Sequence, residues 1–379
     1  MKLVIDCLIY EFKKAPGYEQ YLHNTLDYFY ENNLDLIFDE VVLAVRKTQL
    51  RSFEKYSTKF TIKGFNIKNI IGQLFVQNVL KQKLKLNKDD VILFTCGYAS
   101  ILKQCKSVVV VFDLLHLHYP EYFIIARRIQ RAILVPAALR ISDKVIAISS
   151  FTRNDILENF TINPIKVDYI YINCNFTKFA LISNDGSETV KELQKFEKFI
   201  SNKEKYFLSV LSSGPNKNLI LLIKAFIEVA KYNNEYYLIL VGNSTKMDSL
   251  LIELIMNAGI EDRIIYSDYI CNYTLGLLYS HCSAFILPTK FEGFGMPIVE
   301  ALYFNVPVIV TDIEICHEIA GDFAQYIDCD NEKFLAEAMF NIILGNIEIR
   351  DTKSMVCEKY SFKNTSGKYI ELLNKIAME

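Results

Sequence analysis

Short apolar runs alternate along this chain with segments whose apolar positions recur at helical spacing. Residues 3–9, 40–45, 91–95, 107–112 and 144–148 read as strands. Residues 20–32 have helical periodicity, with Tyr21, Leu22, Leu26 and Phe29 on one side. Ser149-Ser150 ends the 144–148 strand and precedes a helix over 153–158. The same alternation restarts in the second half. Strands are expected at 206–211, 237–241, 263–266, 284–287 and 306–311. Helices are expected at 219–231, 248–257, 274–281, 297–304 and 362–377. The polar stretch 177–205, with Asn184-Asp185-Gly186-Ser187 and a helix near 190–200, reads as the connection between two domains. Alternating strand and helix predicts an α/β fold with parallel sheets, in two doubly wound units. Ligands of such units lie at the carboxyl ends of the strands.

Residues 290–300, Lys-Phe-Glu-Gly-Phe-Gly-Met-Pro-Ile-Val-Glu, carry the most chemistry. The apolar run 284–287 leads in as a buried strand. Gly293 and Gly295 allow a sharp turn and close approach of backbone to a ligand. Pro297 suits the first position of a helix. That helix would point free N–H groups above the sheet, where they favour a phosphate. Glu292 and Glu300 bracket the turn, and carboxylates accept hydrogen bonds from sugar hydroxyls. An anion site beside two hydroxyl acceptors suggests a nucleotide-sugar.

Glu292, seven residues and then Glu300, with Gly-Phe-Gly between, resembles the E-x7-E signature of the family-4 retaining glycosyltransferases. The resemblance covers most of the chain and is strongest over 206–325, which includes Glu318-Ile319-Ala320-Gly321-Asp322. It implies the GT-B fold: two Rossmann-like domains facing a cleft, with the C-terminal helix crossing back. The N-terminal acceptor-binding domain would be 1–180 with the helix at about 362–379, and the nucleotide-sugar domain 200–361. It also implies roles. Glu292 contacts donor-sugar hydroxyls, the backbone of Gly293, Phe294 and Gly295 binds sugar and phosphate with Met296 beside it, and Glu300 holds the ribose hydroxyls.

Ser212-Ser213-Gly214-Pro215-Asn216-Lys217-Asn218 resembles the family loop ending in Arg-Lys-Asn or Arg-Lys-Gly. Lys217 matches the lysine that neutralises the donor diphosphate and stabilises the departing nucleotide. Asn216 stands where arginine is common, and Leu211 where many members carry an upstream arginine. Ser212, Asn218 and Gly242 fall among the implied donor-binding positions, as do Gly17 and Tyr18 of the loop after the first strand. The single glycine of that loop does not make an NAD site. Phe112-Asp113-Leu114 with Tyr119-Pro120-Glu121-Tyr122-Phe123 resembles a stretch of mannosyl- and rhamnosyl-type members. Phe112 replaces the family histidine of the sugar subsite, and His116 and His118 are near enough in sequence to compensate. Asp113, His116 and Ser149 join Phe112 as acceptor or sugar-subsite candidates. Ser149 reads equally well as a helix cap.

The implied activity is metal-independent transfer of a mannose- or rhamnose-like hexose, with retention, from a nucleoside-diphosphate sugar to a glycan or lipid-linked acceptor. No cofactor is implied, and Glu292 and Lys217 are the catalytic candidates. The alternative is a non-catalytic relative that binds a nucleotide-sugar or glycan and supports a partner enzyme, which the residues at 112, 211 and 216 motivate. A sugar-phosphate phosphorylase or nucleotide-sugar epimerase on the same fold is a third reading. Asp328-Cys329-Asp330 spells D-x-D after a short strand, but Asp330 reads better as a helix cap than as a metal ligand.

The 379 residues, 51% hydrophobic, suffice for two domains. A net charge of −2 gives no electrostatic case for nucleic acid. Nine scattered cysteines without C-x-x-C pairing suggest a reducing, cytoplasmic compartment. Asp6 and Glu11 interrupt any signal-peptide core, and the apolar runs are strand-sized. Two basic stretches remain in the N-terminal half. One holds Lys81, Lys83, Lys85 and Lys88; the other holds Arg127, Arg128, Arg131, Arg140 and Lys144 around the apolar segment 124–139. Peripheral contact with the anionic inner face of a membrane carrying a lipid-linked acceptor is their functional reading.

Overall fold

The computed structural model describes residues 1–8, 16–67, 70–103, 105–181, 186–211, 214–242, 249–347 and 349–378. The chain divides into two units, Met1–Cys174 with Tyr360–Glu379, and Asn175–Lys359. In the first, strands β1 (Lys2–Asp6), β2 (Glu40–Arg46), β3 (Thr61–Phe65), β4 (Val91–Phe94), β5 (Lys106–Val111), β6 (Lys144–Ala147) and β7 (Val167–Tyr169) form one parallel sheet. Its order is β3-β2-β1-β4-β5-β6-β7. The runs of Val, Ile and Leu in the central strands follow from burial on both faces. On one face Val4, Val42, Ile92, Val109 and Val145 meet Leu80, Leu134 and Leu139 from the covering helices.

The second unit contains β8 (Tyr206–Leu211), β9 (Tyr237–Gly242), β10 (Ile264–Ser267), β11 (Ala284–Leu287), β12 (Val308–Thr311) and β13 (Ala324–Ile327), also parallel. The order β10-β9-β8-β11-β12-β13 reverses direction between β8 and β11. That is the doubly wound order, in which ligands bind outside the carboxyl ends of the two strands where it reverses. Phe207, Leu238, Ile286 and Ile309 pack with Leu222, Phe226 and Met339 of the helices.

Three expectations are corrected. Residues 177–205 are not a free connection. The helix Gly186–Ile200 lies in the second unit, where Lys195 Nζ donates to the Tyr266 carbonyl and Glu192 accepts from the Cys271 N–H. The first helix begins at Pro16, not at residue 20, so Gly17 and Tyr18 lie in its first turn rather than in a loop. Strands β3 and β7, absent from the apolar pattern, form the two edges of the first sheet.

The C-terminal helix, Ser366–Met378, belongs to the first unit. Tyr369, Leu373 and Ile376 are buried there, and the Tyr21 hydroxyl donates to the Tyr369 hydroxyl at 3.0 Å. Lys106 Nζ donates to the Ile376 carbonyl at 3.1 Å. No cysteine is paired in a disulfide.

Candidate functional site

The loops that leave β8 and β11 meet where the strand order reverses. They are stitched together by Asn216 and Thr289. Asn216 Nδ2 donates to the Phe291 carbonyl at 3.0 Å, and the Asn216 carbonyl accepts from the Lys290 N–H at 2.7 Å. Thr289 Oγ1 donates to the same Asn216 carbonyl at 2.9 Å. Asn216 and Thr289 are both buried. The Asn216 side chain therefore has a structural role in joining the two loops.

This tie brings Lys217 to Glu292, and the two form an ion pair. Their side chains are 18% and 13% exposed, so water screens the pair far less than it would on an open surface. Asn218 adopts the left-handed conformation, φ 53°, before the helix Leu219–Ala230, and its Nδ2 donates to the Cys329 carbonyl. Gly295 sits at φ 87° and leads into the helix Met296–Tyr303, with Pro297 in the first turn. A Cβ at Gly295 would lie 3.0 Å from Ile298 Cδ1, so both conformation and space favour glycine there. Phe294, Gly295 and Met296 are buried, which leaves Glu292 and Gly293 as the partly exposed residues of this turn.

Glu300 lies one helical turn into Met296–Tyr303 and is buried. Each of its oxygens already has a donor. Lys178 Nζ reaches Oε1 at 2.6 Å, and the Tyr279 hydroxyl donates to Oε2 at 3.1 Å. Burial, then the Glu300 charge, pushes the Tyr279 phenol well above its ordinary pKa, so it stays a donor. Neither Lys178 nor Tyr279 has a sequence signature. Their partner lies 122 and 21 residues away, and only the fold brings them to it.

Other candidates fall elsewhere. Ser212 lies outside the described residues. Gly242 ends β9 at φ 148°, where a Cβ would stand 1.8 Å from the Leu211 carbonyl oxygen. The neighbouring strand therefore accounts for that glycine without a ligand. In the first unit, Gly17 is exposed, with no atom within 4 Å of a would-be Cβ. Tyr18 is buried, bonds Thr95 through its hydroxyl, and lies with its ring 5.4 Å from that of Phe112. Phe112 also meets Tyr21 at 5.0 Å, so it belongs to an aromatic cluster. Asp113 Oδ1 accepts from the Leu115 N–H at 3.0 Å and shapes a turn.

Ser149 caps the helix Ser150–Asn159 by accepting from the Thr152 N–H, which is its structural role. His116 is buried, and neither ring nitrogen has a hydrogen-bond partner among the described residues. Burial, reinforced by Arg131, lowers its pKa to about 4. His118 instead bonds Asp155 at 2.7 Å. The two histidines thus face different surroundings. Among the described residues the one cluster with ligand spacing is Asp328, Cys329 and Asp330. Asp330 is not the helix cap expected of it: Asn331 caps Glu332–Ile343, and Asp330 pairs with Lys290 at 3.0 Å.

Residues 190–355 match the family model described as glycosyl transferases group 1. The O-antigen chain mannosyltransferase RfbU of Salmonella typhimurium is 29% identical over 264 residues, 69% of this chain and 67% of that one. The O-antigen chain mannosyltransferase B of Escherichia coli is 27% identical over 179 residues, less than half of either chain. Among solved structures, Anabaena HepE in complex with UDP and glucose superimposes with a TM-score of 0.73, at 16% identity over 99% of this chain and 100% of that one. Sucrose-phosphate synthase from Thermosynechococcus elongatus gives 0.78, at 14% identity and 99% of each chain. Those identities speak for the fold. Residues 190–355 therefore form a glycosyl transferases group 1 domain, and the chain has the GT-B fold.

Proposed function

We propose that this chain transfers a hexose, with retention, from a nucleoside-diphosphate sugar to a glycan or lipid-linked acceptor in polysaccharide biosynthesis. The observation that carries the reading is the Lys217–Glu292 pair, which joins the loops that leave β8 and β11, with Glu300 in the helix that follows. Glu300 takes the ribose hydroxyls. Lys217 and the N–H groups at the start of Met296–Tyr303 take the diphosphate. Glu292 then exchanges its lysine for sugar hydroxyls. The bond from the anomeric carbon to phosphate breaks as a bond to the acceptor oxygen forms on the same face. The acceptor proton passes to the departing phosphate oxygen. Lys217 supplies positive charge where the leaving group gains negative charge, and this supports a mechanism that needs no metal.

A mannose-like donor is favoured by the names of the relatives that align with this chain. A membrane-borne acceptor is favoured by the helix Ile125–Ile141. It exposes Ile125, Ile129 and Ile133 at four-residue spacing beside exposed Arg127 and Arg128. No helix among the described residues is long and apolar enough to cross a membrane. Of the motives for the binding-only reading, Asn216 also serves as a loop tie; Phe112 and Leu211 remain.

The test is a transferase assay with GDP-mannose, UDP-glucose and dTDP-rhamnose on lipid-linked and free glycan acceptors, with and without EDTA. Product anomers are assigned by NMR. Glu292→Ala is expected to cut turnover by about two orders of magnitude or more, because positioning and charge stabilisation are lost together. An unchanged rate in that variant would sink the assignment.

A further inference from the structure

The segment just inside the second unit carries a residue that no part of the donor reading uses. Phe176–Phe179 forms a short 3-10 turn, started by Asn175, whose Oδ1 accepts from the Thr177 N–H. Its two phenylalanines are anchored. Phe176 stacks on Tyr303 at 4.2 Å, with an interplanar angle of 1°. Phe179 is buried against Tyr279 and Phe304, and Gly276 leaves the space its ring occupies. Between these anchors stands Lys178, with its side chain 12% exposed and its ammonium on Glu300 Oε1. Two aromatic fixings on either side of one lysine locate its charge within a narrow range.

We propose that Lys178 is a positioning residue: it holds the Glu300 carboxylate, with Tyr279, so that one spare lone pair on each oxygen faces the vicinal hydroxyls of the donor's ribose. The proposal rests on the reading of Glu300 as the ribose acceptor. A carboxylate offers about four acceptor positions. Lys178 takes one on Oε1 and Tyr279 one on Oε2. One remains on each oxygen, which is the number a cis diol needs. A carboxylate buried with no cation beside it is costly to keep charged. Lys178 therefore provides both the charge balance and the orientation, from a segment far from the glutamate in sequence.

The test uses the full chain and isothermal titration with UDP and GDP, then with the 2′,3′-dideoxy form of whichever binds. Wild type is expected to favour the ribonucleotide by about tenfold or more, since two charge-assisted hydrogen bonds are at stake. Lys178→Met is expected to bring that ratio to within about threefold of unity while the dideoxy nucleotide binds as before. Lys178→Arg, which keeps the charge, is expected to restore most of the ratio. Thermal melting establishes that each variant is folded, and Lys178→Gln, expected to lose the ratio in the same way, serves if Lys178→Met is not. An undiminished ratio in Lys178→Met overturns the proposal. So does equal weakening of both nucleotides, which reports general damage. A wild-type ratio near one, or one that Glu300→Gln leaves intact, removes the ribose reading itself and this proposal with it.

Discussion

Asp6 and His116, both buried in the first unit, respond to pH in opposite senses. Burial pushes the Asp6 carboxyl from 3.8 up to about 6, against the donations from Gln77 and the Leu8 N–H. Between those values the unfolded chain is ionised while the folded one keeps its proton. The contribution of Asp6 therefore falls as pH rises through this window and is level above it. His116 is lowered from 6.5 to about 4, so on acidification the unfolded chain takes the proton first. Its contribution falls as pH drops through that window. The two nearly cancel in the parent and separate in variants. Asp6→Asn is expected to gain stability relative to the parent by up to about 3 kcal/mol from about pH 4 to about pH 7. His116→Phe is expected to gain in the reverse direction. Urea denaturation at both ends of the range checks each, and a pH-independent difference would contradict the assignment. The sequence carried Glu292, Glu300 and Lys217 in plain view, because turn glycines and spacing mark them. It did not carry Lys178 or Tyr279. Their role is created by tertiary contact, and a lysine in a polar stretch looks like any solvated lysine.

Elements were legible in proportion to their burial. The central strands, apolar at almost every position, stood out. The edge strands β3 and β7 did not, since Thr61–Phe65 and Val167–Tyr169 are half exposed and break the apolar run with Lys63, Gly64 and Asp168. Loop geometry was the other blind spot. Asn216 looked like a lost charge in the sequence and is a strut in the structure. Asn216→Ala removes its bond to the Phe291 carbonyl, although Thr289 still donates to that oxygen. A loss of about 1–2 kcal/mol in stability is expected, with a raised donor KM because Lys217 and Glu292 are no longer held in register. Thermal melting and donor titration of kcat and KM read the two effects separately. The helix Ile125–Ile141 is anchored through Leu134, Val135, Ala138 and Leu139, which leaves its first half to solvent. Replacing Ile125 and Ile129 together by Asp is expected to weaken co-sedimentation with anionic phosphatidylglycerol vesicles by about tenfold or more while the melting temperature holds. Unchanged co-sedimentation would remove the membrane face.

At the scale of the whole molecule, the chain leaves the first unit after Cys174, builds the second, and returns at Tyr360. Deleting residues 360–379 is expected to destabilise the first unit by several kcal/mol, since the burial of Tyr369, Leu373 and Ile376 is lost together. Limited proteolysis should then cut within 1–174 while 175–359 resists. Equal resistance of both segments would argue that the returning helix is dispensable. The return also sets an order of events during synthesis. Chains ordinarily fold from the N-terminus as they emerge from the ribosome. Here the segment made second is the first to have all its parts, and the segment made first must wait, with an apolar face uncovered, until residues 360–379 have emerged. A nascent chain from which residues up to 359 have emerged would therefore carry a finished second unit and an unfinished first one, the natural client of a chaperone.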